Sequence, residues 1–361
     1  MPEATSGTVV FVVLGAVQLV ATTLVLVYST KYQHSSGWSH SPGGVEPPPR
    51  SAHAPNGANW PDHVAAGDHA ALVAGTLIDD RHEIDQLVGR GGMAEVFRAR
   101  DITTGRTVAI KILRAVGPES VSRFRTERDA LARLDHPGVV RLRATGSHHG
   151  VPYLVLELVD GPTLTDVLAN GPLDIEQSIS IARQLADALS HAHSRDITHR
   201  DLKPGNVVLD ADRVRVCLAD FGIALFSHTT RMTATGTCLG TPAYLAPEQR
   251  EGRVGPASDI YSLGLLVLEC LAGTHCYPGT IAETAFARLH HAPTIPVDLP
   301  PWLRHTLGAM TARHPDRRPA AEATAEAFRH RSIDTVLATT GALHTTPADP
   351  ADHQPPERLT A

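Results

Sequence analysis

The stretch "THRDLKPGN", Thr198 to Asn206, sets one carboxylate, Asp201, between two cations, Arg200 and Lys203, and an amide, Asn206, follows five residues after the acid. Spacing alone assigns no chemistry to it, because charged turns are common and most are solvated surface. Its reading turns on whether the rest of the chain brings a phosphate to Asp201.

The chain enters this stretch through "IEQSISIARQLADALSHAHSRD", where Ile179, Ala182, Leu185, Ala186 and Leu189 recur on one face of a helix. Beyond it, after a strand-like "RVRVCL", comes Asp220 in "LADFG". Asn206 and Asp220 are two oxygen donors emerging beside Asp201, a set that suits magnesium, which takes oxygen ligands and bridges nucleotide phosphates. Asp201 can then accept the proton of an incoming hydroxyl while Lys203 counters charge on a transferred phosphoryl group.

Upstream, "EIDQLVGRGGMAEVFRARD" reads as two short strands around a glycine-rich turn, in which Gly89, Gly91 and Gly92 let backbone N–H groups approach phosphate oxygens. Alone it could be an ordinary hairpin. A dinucleotide-binding loop would run into a helix; this one returns as a strand and leads to "TVAIKIL". Alternation there puts Val108, Ile110 and Ile112 on one face and Ala109 and Lys111 on the other. A lysine on a buried face is costly unless it meets an anion; the rival reading is an edge-strand solubiliser. A helix follows with Val121, Phe124, Leu131 and Leu134 as its apolar stripe. Glu127 falls beside that stripe, either as a surface partner of Arg123 or Arg128 or as the residue that orients Lys111.

Taken together these motifs resemble the eukaryotic-type protein kinases, specifically bacterial serine/threonine kinases of the actinobacterial kind, over essentially all of residues 80–330. The fold implied is α+β and bilobal, with a small β-rich N-lobe and a larger helical C-lobe. "VGRGGMAEV" resembles the glycine-rich loop, so Val88, Gly89, Arg90, Gly91, Gly92, Met93, Ala94, Glu95 and Val96 are implied to contact ATP, with Ala94 standing where the last glycine of the pattern falls. Lys111 of "VAIK" is implied to hold the α/β-phosphates and pair with Glu127, Asp201 to be the base, and Asn206 and Asp220 to hold Mg²⁺ or Mn²⁺. "VLELVDG" resembles the hinge, with Leu156 as gatekeeper and the backbone of Glu157 to Val159 meeting adenine, and Ala109 and Val208 complete the ATP contacts. Glu248 of "APE" is implied to pair with Arg318, and Asp259 to brace the catalytic loop, where Arg200 also lies. Lys203 two residues after the base and Thr241 in "GTPAY" imply serine and threonine acceptors in protein substrates. The resemblance also implies pairing of two chains through the N-lobe, and autophosphorylation at Thr233 and Thr235, which would supply an anion for Arg200. A catalytically dead scaffold would have lost Lys111, Asp201, Asn206 or Asp220, and none is lost.

The bulk composition agrees. Apolar residues make up 42%, enough for a sizeable core, and the net charge of −6 gives no reason to expect a nucleic-acid surface. Cys217, Cys238, Cys270 and Cys276 lack paired spacing, so neither a zinc site nor a disulfide framework is indicated.

Residues 1–8 precede an uncharged run, Val9 to Tyr28, whose length matches the about 20 residues needed to span the hydrocarbon core. A cleaved signal peptide would want a positive n-region, and only Glu3 precedes the run. The expectation is a single membrane anchor with the C-terminal bulk in the cytoplasm. The alternative is a start near Val73 and a cytoplasmic protein. Residues 29–74 and 332–361 are rich in small and polar residues and read as a disordered linker and tail, leaving 75–331 as the folded body, with the N-lobe ending near 158. The run 260–273 is too short for a second span and reads as a buried core helix.

Overall fold

The computed structural model describes residues 60, 72–114, 117–221 and 242–331. The N-lobe is an antiparallel sheet of β1 (Leu77–Ile78), β2 (His82–Arg90), β3 (Ala94–Asp101), β4 (Thr107–Leu113), β5 (Leu142–His148) and β6 (Val151–Glu157), with helix α1 (Pro118–Ala132) between β4 and β5 in sequence. The strand order is β1-β2-β3-β4-β6-β5. Alternation along β4 divides the lobe into two apolar layers. Val108, Ile110 and Ile112 join Ile84, Phe97 and Tyr153 on one face, while Ala109 and Leu113 join the larger core that contains α1. The same alternation carries Lys111 to the α1 side, where Val121, Phe124, Glu127 and Leu131 are all buried.

The C-lobe contains α2 (Leu164–Leu168), α3 (Ile175–His193), the hairpin β7 (Val207–Leu209) and β8 (Val216–Leu218), then α4 (Pro256–Ala272), α5 (Ile281–His290), α6 (Pro301–Met310) and α7 (Ala321–His330). Asp174 caps α3 by accepting the N–H of Gln177 at 2.7 Å. The apolar run 260–273 is what its length suggested: α4 is buried almost all round at the centre of the lobe. Among the described residues no helix is long and apolar enough to cross a membrane, and the Val9–Tyr28 run lies outside them. The tail after residue 331 also lies outside.

One ion pair ties the lower lobe together. Arg318 donates twice to Glu248, Nη1 to Oε1 at 2.7 Å and Nη2 to Oε2 at 2.8 Å. Burial pushes the Glu248 carboxyl up, but the Arg318 bonds outweigh it and hold the group below its ordinary range. Within 29–74 the described residues include one that is buried. Trp60 is 3% exposed and packed on α1. Averaged composition hides such a residue, because one indole buries more apolar area than its polar neighbours can.

Two glycines on facing helices give opposite expectations. A Cβ at Gly264 in α4 would lie 2.7 Å from Thr311 Cγ2, and Thr311 is held by its bond to Leu307 O at 2.7 Å. Gly264→Ala should therefore lose about 1–2 kcal/mol, the overpacking exceeding the helix-propensity gain. A Cβ at exposed Gly308 in α6 meets only Ile295 Cδ1 at 3.7 Å, so Gly308→Ala should gain about 0.5–1 kcal/mol. Urea midpoints of the two variants check both signs.

Candidate active site

The stretch Thr198 to Asn206 follows α3 and is shaped from beneath by one carboxylate. Asp259, buried in the first turn of α4, accepts the N–H of His199 on Oδ2 and of Arg200 on Oδ1, each at 2.8 Å, and His193 Nε2 lies 2.8 Å from Oδ2. That bracing holds Arg200 at φ 72°. Asp220, at the far side of the site, has φ 51°. A left-handed non-glycine residue costs on the order of 1–3 kcal/mol, so surrounding bonds must hold both.

His199 supplies one of those bonds. Its ring is fully buried, Nδ1 accepts the Asp201 N–H at 3.3 Å, and Nε2 therefore carries the proton donated to Ala219 O at 3.0 Å. Burial holds its pKa below the usual histidine value against the pull of Asp259, so the ring is neutral and the tautomer stays fixed. The ring also lies 4.8 Å from Phe221, directly after Asp220. His199 and His193 were not singled out from the sequence. The signal for His199 was its place beside the acid; His193 sits in the last turn of α3, where apolar periodicity carries no information about a polar partner.

At the centre, Asp201 Oδ2 accepts Lys203 Nζ at 2.6 Å and Asn206 Nδ2 at 3.1 Å, and the Asp201 carbonyl accepts Asn206 Nδ2 at 2.8 Å. Among the described residues no hydrogen bond occupies Asp201 Oδ1. A 3-10 turn at Pro204–Asn206 places the amide, and the Ala219 N–H on Asn206 O at 2.8 Å ties it to the strand leading into Asp220.

Lys111 joins the two lobes. Its Nζ donates to Glu127 Oε1 at 2.6 Å and to Asp220 Oδ1 at 2.8 Å, with only 10% of the side chain exposed. Burial alone would lower the ammonium pKa, but Asp220 and Glu127 overcome it and hold the group charged above its ordinary range. Lys111 in turn holds the Asp220 carboxyl below its own range. Glu127 thus faces the lysine rather than its neighbours: Arg123 bonds Glu119 and Arg128 bonds Asp129.

The glycine-rich turn is the β2–β3 hairpin, closed by the Gly91 N–H on Ala94 O at 2.9 Å, with Arg90 paired to Glu95 at 2.8 Å. An added Cβ at Gly89 would meet nothing within 4 Å. The chain's own packing thus gives no reason for glycine there, which fits a loop that a ligand approaches closely. Val96 pairs with Lys111 and Ala109 with Leu156 across the ladders, and Met93, Val96 and Val159 pack on the core that holds Ala109 and Leu156. Gly92 lies in the turn itself; Glu157 ends β6 and binds Arg215 at 2.8 Å; Val208 is half-buried on β7. Val88 stands apart, 51% exposed. Thr233, Thr235 and Thr241 lie outside the described residues.

The donor set fits a divalent cation with nucleotide phosphates. Asp220 offers a carboxylate and Asn206, its N–H groups turned to Asp201, offers its amide oxygen, both hard oxygen donors. Lys111 brings a compact charge to the same place.

Comparison with known proteins agrees with this geometry. Residues 82–330 match the family described as protein kinase domain. The serine/threonine-protein kinase PrkC of Bacillus subtilis (strain 168) is 40% identical over 216 residues, which are 58% of this chain and 33% of PrkC. PknB of Mycobacterium leprae (strain TN), also named a serine/threonine-protein kinase, is 38% identical over 277 residues, 71% of this chain and 44% of PknB. PknA of Mycobacterium tuberculosis (strain ATCC 25618 / H37Rv), of the same description, is 35% identical over 256 residues, 68% of this chain and 59% of PknA. The chain thus spans between a third and three-fifths of the length of these relatives.

Removing the lysine should expose what it neutralises. Lys111→Met leaves Glu127 buried without its cation and should cost about 3–5 kcal/mol at neutral pH. Burial raises the folded Glu127 pKa above its unfolded value, so the carboxylate is a penalty above that pKa. The cost should therefore shrink as pH falls and the group protonates. Urea unfolding of wild type and variant at neutral and acidic pH checks the trend; a cost that grows toward acid contradicts it.

Proposed function

We propose that this chain, which belongs to the protein kinase family, transfers the γ-phosphate of ATP to serine and threonine hydroxyls of proteins. The observation that carries the reading is the single cluster in which Lys111 bonds both Glu127 and Asp220 while, among the described residues, Asp201 keeps Oδ1 clear beside Lys203. Asp201 takes the proton of the acceptor hydroxyl at Oδ1, and Lys203, fixed on Oδ2, offsets negative charge that builds as the phosphoryl group moves. Asn206 and Asp220 are the residues that would hold the metal, and Lys111 would orient the α/β-phosphates. A bound Mg²⁺ or Mn²⁺ supplies charge neutralisation on the nucleotide phosphates. Serine/threonine choice is supported by Lys203 and by the names of the relatives. A scaffold without activity is disfavoured, because every residue it would lose is present and bonded.

The same reading includes a switch. Thr233 and Thr235 sit in a threonine-rich stretch ahead of "GTPAY". A phosphate there, carrying about two negative charges and placed by one chain on another, would pair with Arg200 and order the segment. Such transfer needs two chains to meet, and the N-lobe is the surface proposed for that. We propose as well that residues 9–28 form a single-pass anchor, that 29–74 lead from it to a kinase domain of 75–331 on the cytoplasmic side, and that 332–361 form a tail. The support is the uncharged length of Val9–Tyr28.

Asp201→Asn and Asp220→Asn should each lower autophosphorylation by orders of magnitude while unfolding cooperatively. Retention of more than roughly a tenth of the wild-type rate by either would remove the assignment. The Thr233→Ala/Thr235→Ala double variant should be several-fold slower toward an exogenous substrate; full activity would remove the switch and leave the chemistry standing. Full-length chain should stay with membranes through carbonate extraction, and release into the supernatant would refute the anchor.

A further inference from the structure

Trp60 belongs by composition to the linker, yet it is 3% exposed and meets α1 and β5 at four places. Its ring lies 5.4 Å from Phe124, tilted by 32°, and the Arg128 guanidinium stands 4.7 Å above it. Its carbonyl accepts a hydrogen bond from Arg125, and its indole Nε1 donates to Gly146 O of β5 at 2.9 Å. Residues 124, 125 and 128 are positions i, i+1 and i+4 of the helix that carries Glu127. One residue, through its ring, its indole N–H and its carbonyl, therefore grips the helix across a full turn around Glu127 and binds it to the sheet.

The strand it reaches is itself fixed. Tyr153 fills the space a side chain at Gly146 would occupy, since a Cβ there would lie 2.2 Å from its hydroxyl, and that hydroxyl donates to Asp79 at 2.8 Å. The helix is less well held by its own means. It starts after Gly117 with no side-chain cap, so its placement depends on packing rather than on its end. Its inner face, Val121, Phe124 and Leu131, sets how deeply it sits. Apolar packing is non-directional, whereas the Trp60 bonds to Gly146 and Arg125 are directional and fix where the helix stands along the sheet. The Lys111–Glu127 bond of 2.6 Å needs that register.

We infer that Trp60 is a positioning residue for phosphoryl transfer, clamping α1 to β5 and so holding Glu127 on Lys111. The inference rests on the kinase reading for its consequence in catalysis, but not for the clamp itself. It also gives the segment that precedes the domain a defined duty, because a change that pulls Trp60 from its seat would loosen the ion pair without touching the site.

The test uses the full chain with Trp60→Ala and Trp60→Phe, each made alone and combined with Glu127→Gln. Two readouts are taken: hydrogen exchange of backbone amides, and kcat with KM for ATP on a serine/threonine peptide. Trp60→Ala should speed exchange in residues 118–132 by about tenfold and leave α4 unchanged. It should lower kcat/KM by about tenfold. Trp60→Phe, which keeps the ring on Phe124 but lacks the N–H bound to Gly146, should recover only part of either loss and leave both about three- to fivefold from wild type. In the Glu127→Gln background Trp60→Ala should have less than about a twofold further effect, because the group it positions is gone. Equal loss in both backgrounds, or unchanged exchange in 118–132, overturns the inference. If Trp60→Ala does not fold, Arg128→Gln, which removes the cation over the ring together with its pair to Asp129, must shift exchange and kcat/KM in the same directions while Asp129→Asn, which breaks that pair alone, leaves both unchanged; no shift with Arg128→Gln, or an equal shift with Asp129→Asn, overturns it. A wild-type chain without activity would sink the kinase reading, while the exchange data would still decide the clamp.

Discussion

The structure depends on one ammonium group. Lys111 Nζ is the point where a strand of the N-lobe, the helix beside it and the loop after β8 meet, through bonds of 2.6 Å to Glu127 and 2.8 Å to Asp220. Removing such a charge from water is costly, and two carboxylates compensate by sharing it. Because the acids come from separate elements, the pair forms only when both lobes are in register. The chain's usage of cations bears on this. Of the 32 lysines and arginines, only Lys31, Lys111 and Lys203 are lysines. Arginine serves almost everywhere else, including the Glu248–Arg318 fork, where a planar donor matches a carboxylate. A compact charge that must sit between two acids, or directly against Asp201, requires the smaller head group.

Beneath that centre the C-lobe acts as a rigid bed. Asp259 takes both N–H groups of His199 and Arg200, and a neutral His199 links the Asp201 backbone to Ala219. These bonds hold Arg200 and Asp220 in left-handed conformations that neither would choose alone. The strain lies at both ends of the cluster around Asp201, where small shifts would move its carboxylate relative to Lys203 and Asn206. The Arg318–Glu248 pair does the same for the segment that follows residue 241, holding it on α4 and away from water.

Much of this was legible in the sequence, for particular reasons. Period-two alternation in "TVAIKIL" put Lys111 on the α1 side, and period-3.6 apolar spacing put Glu127 beside the stripe that faces it. Turn chemistry in "THRDLKPGN" marked the acid and its neighbours. What stayed hidden was polar contact between distant elements. Nothing in the periodicity of α3 shows that His193 reaches Asp259, and nothing local to Trp60 shows that its indole reaches Gly146, 86 residues away. Such pairings are set by tertiary geometry, which averaged composition cannot carry.

The scarcity of lysine makes the central interaction directly observable. With lysine labelled at the ε-carbon the chain gives three Cε resonances, and Lys111→Met assigns the one of interest. The Glu127 and Asp220 carboxylates raise the folded pKa of Lys111, so the stability it contributes is complete below the unfolded value and is lost only as pH rises past the folded one. The Lys111 resonance should therefore keep its ammonium position at a pH where a free lysine, with a pKa of about 10.4, has given up its proton. Release at or below that pH would show that the two carboxylates do not hold the ammonium group, and would contradict the site described above.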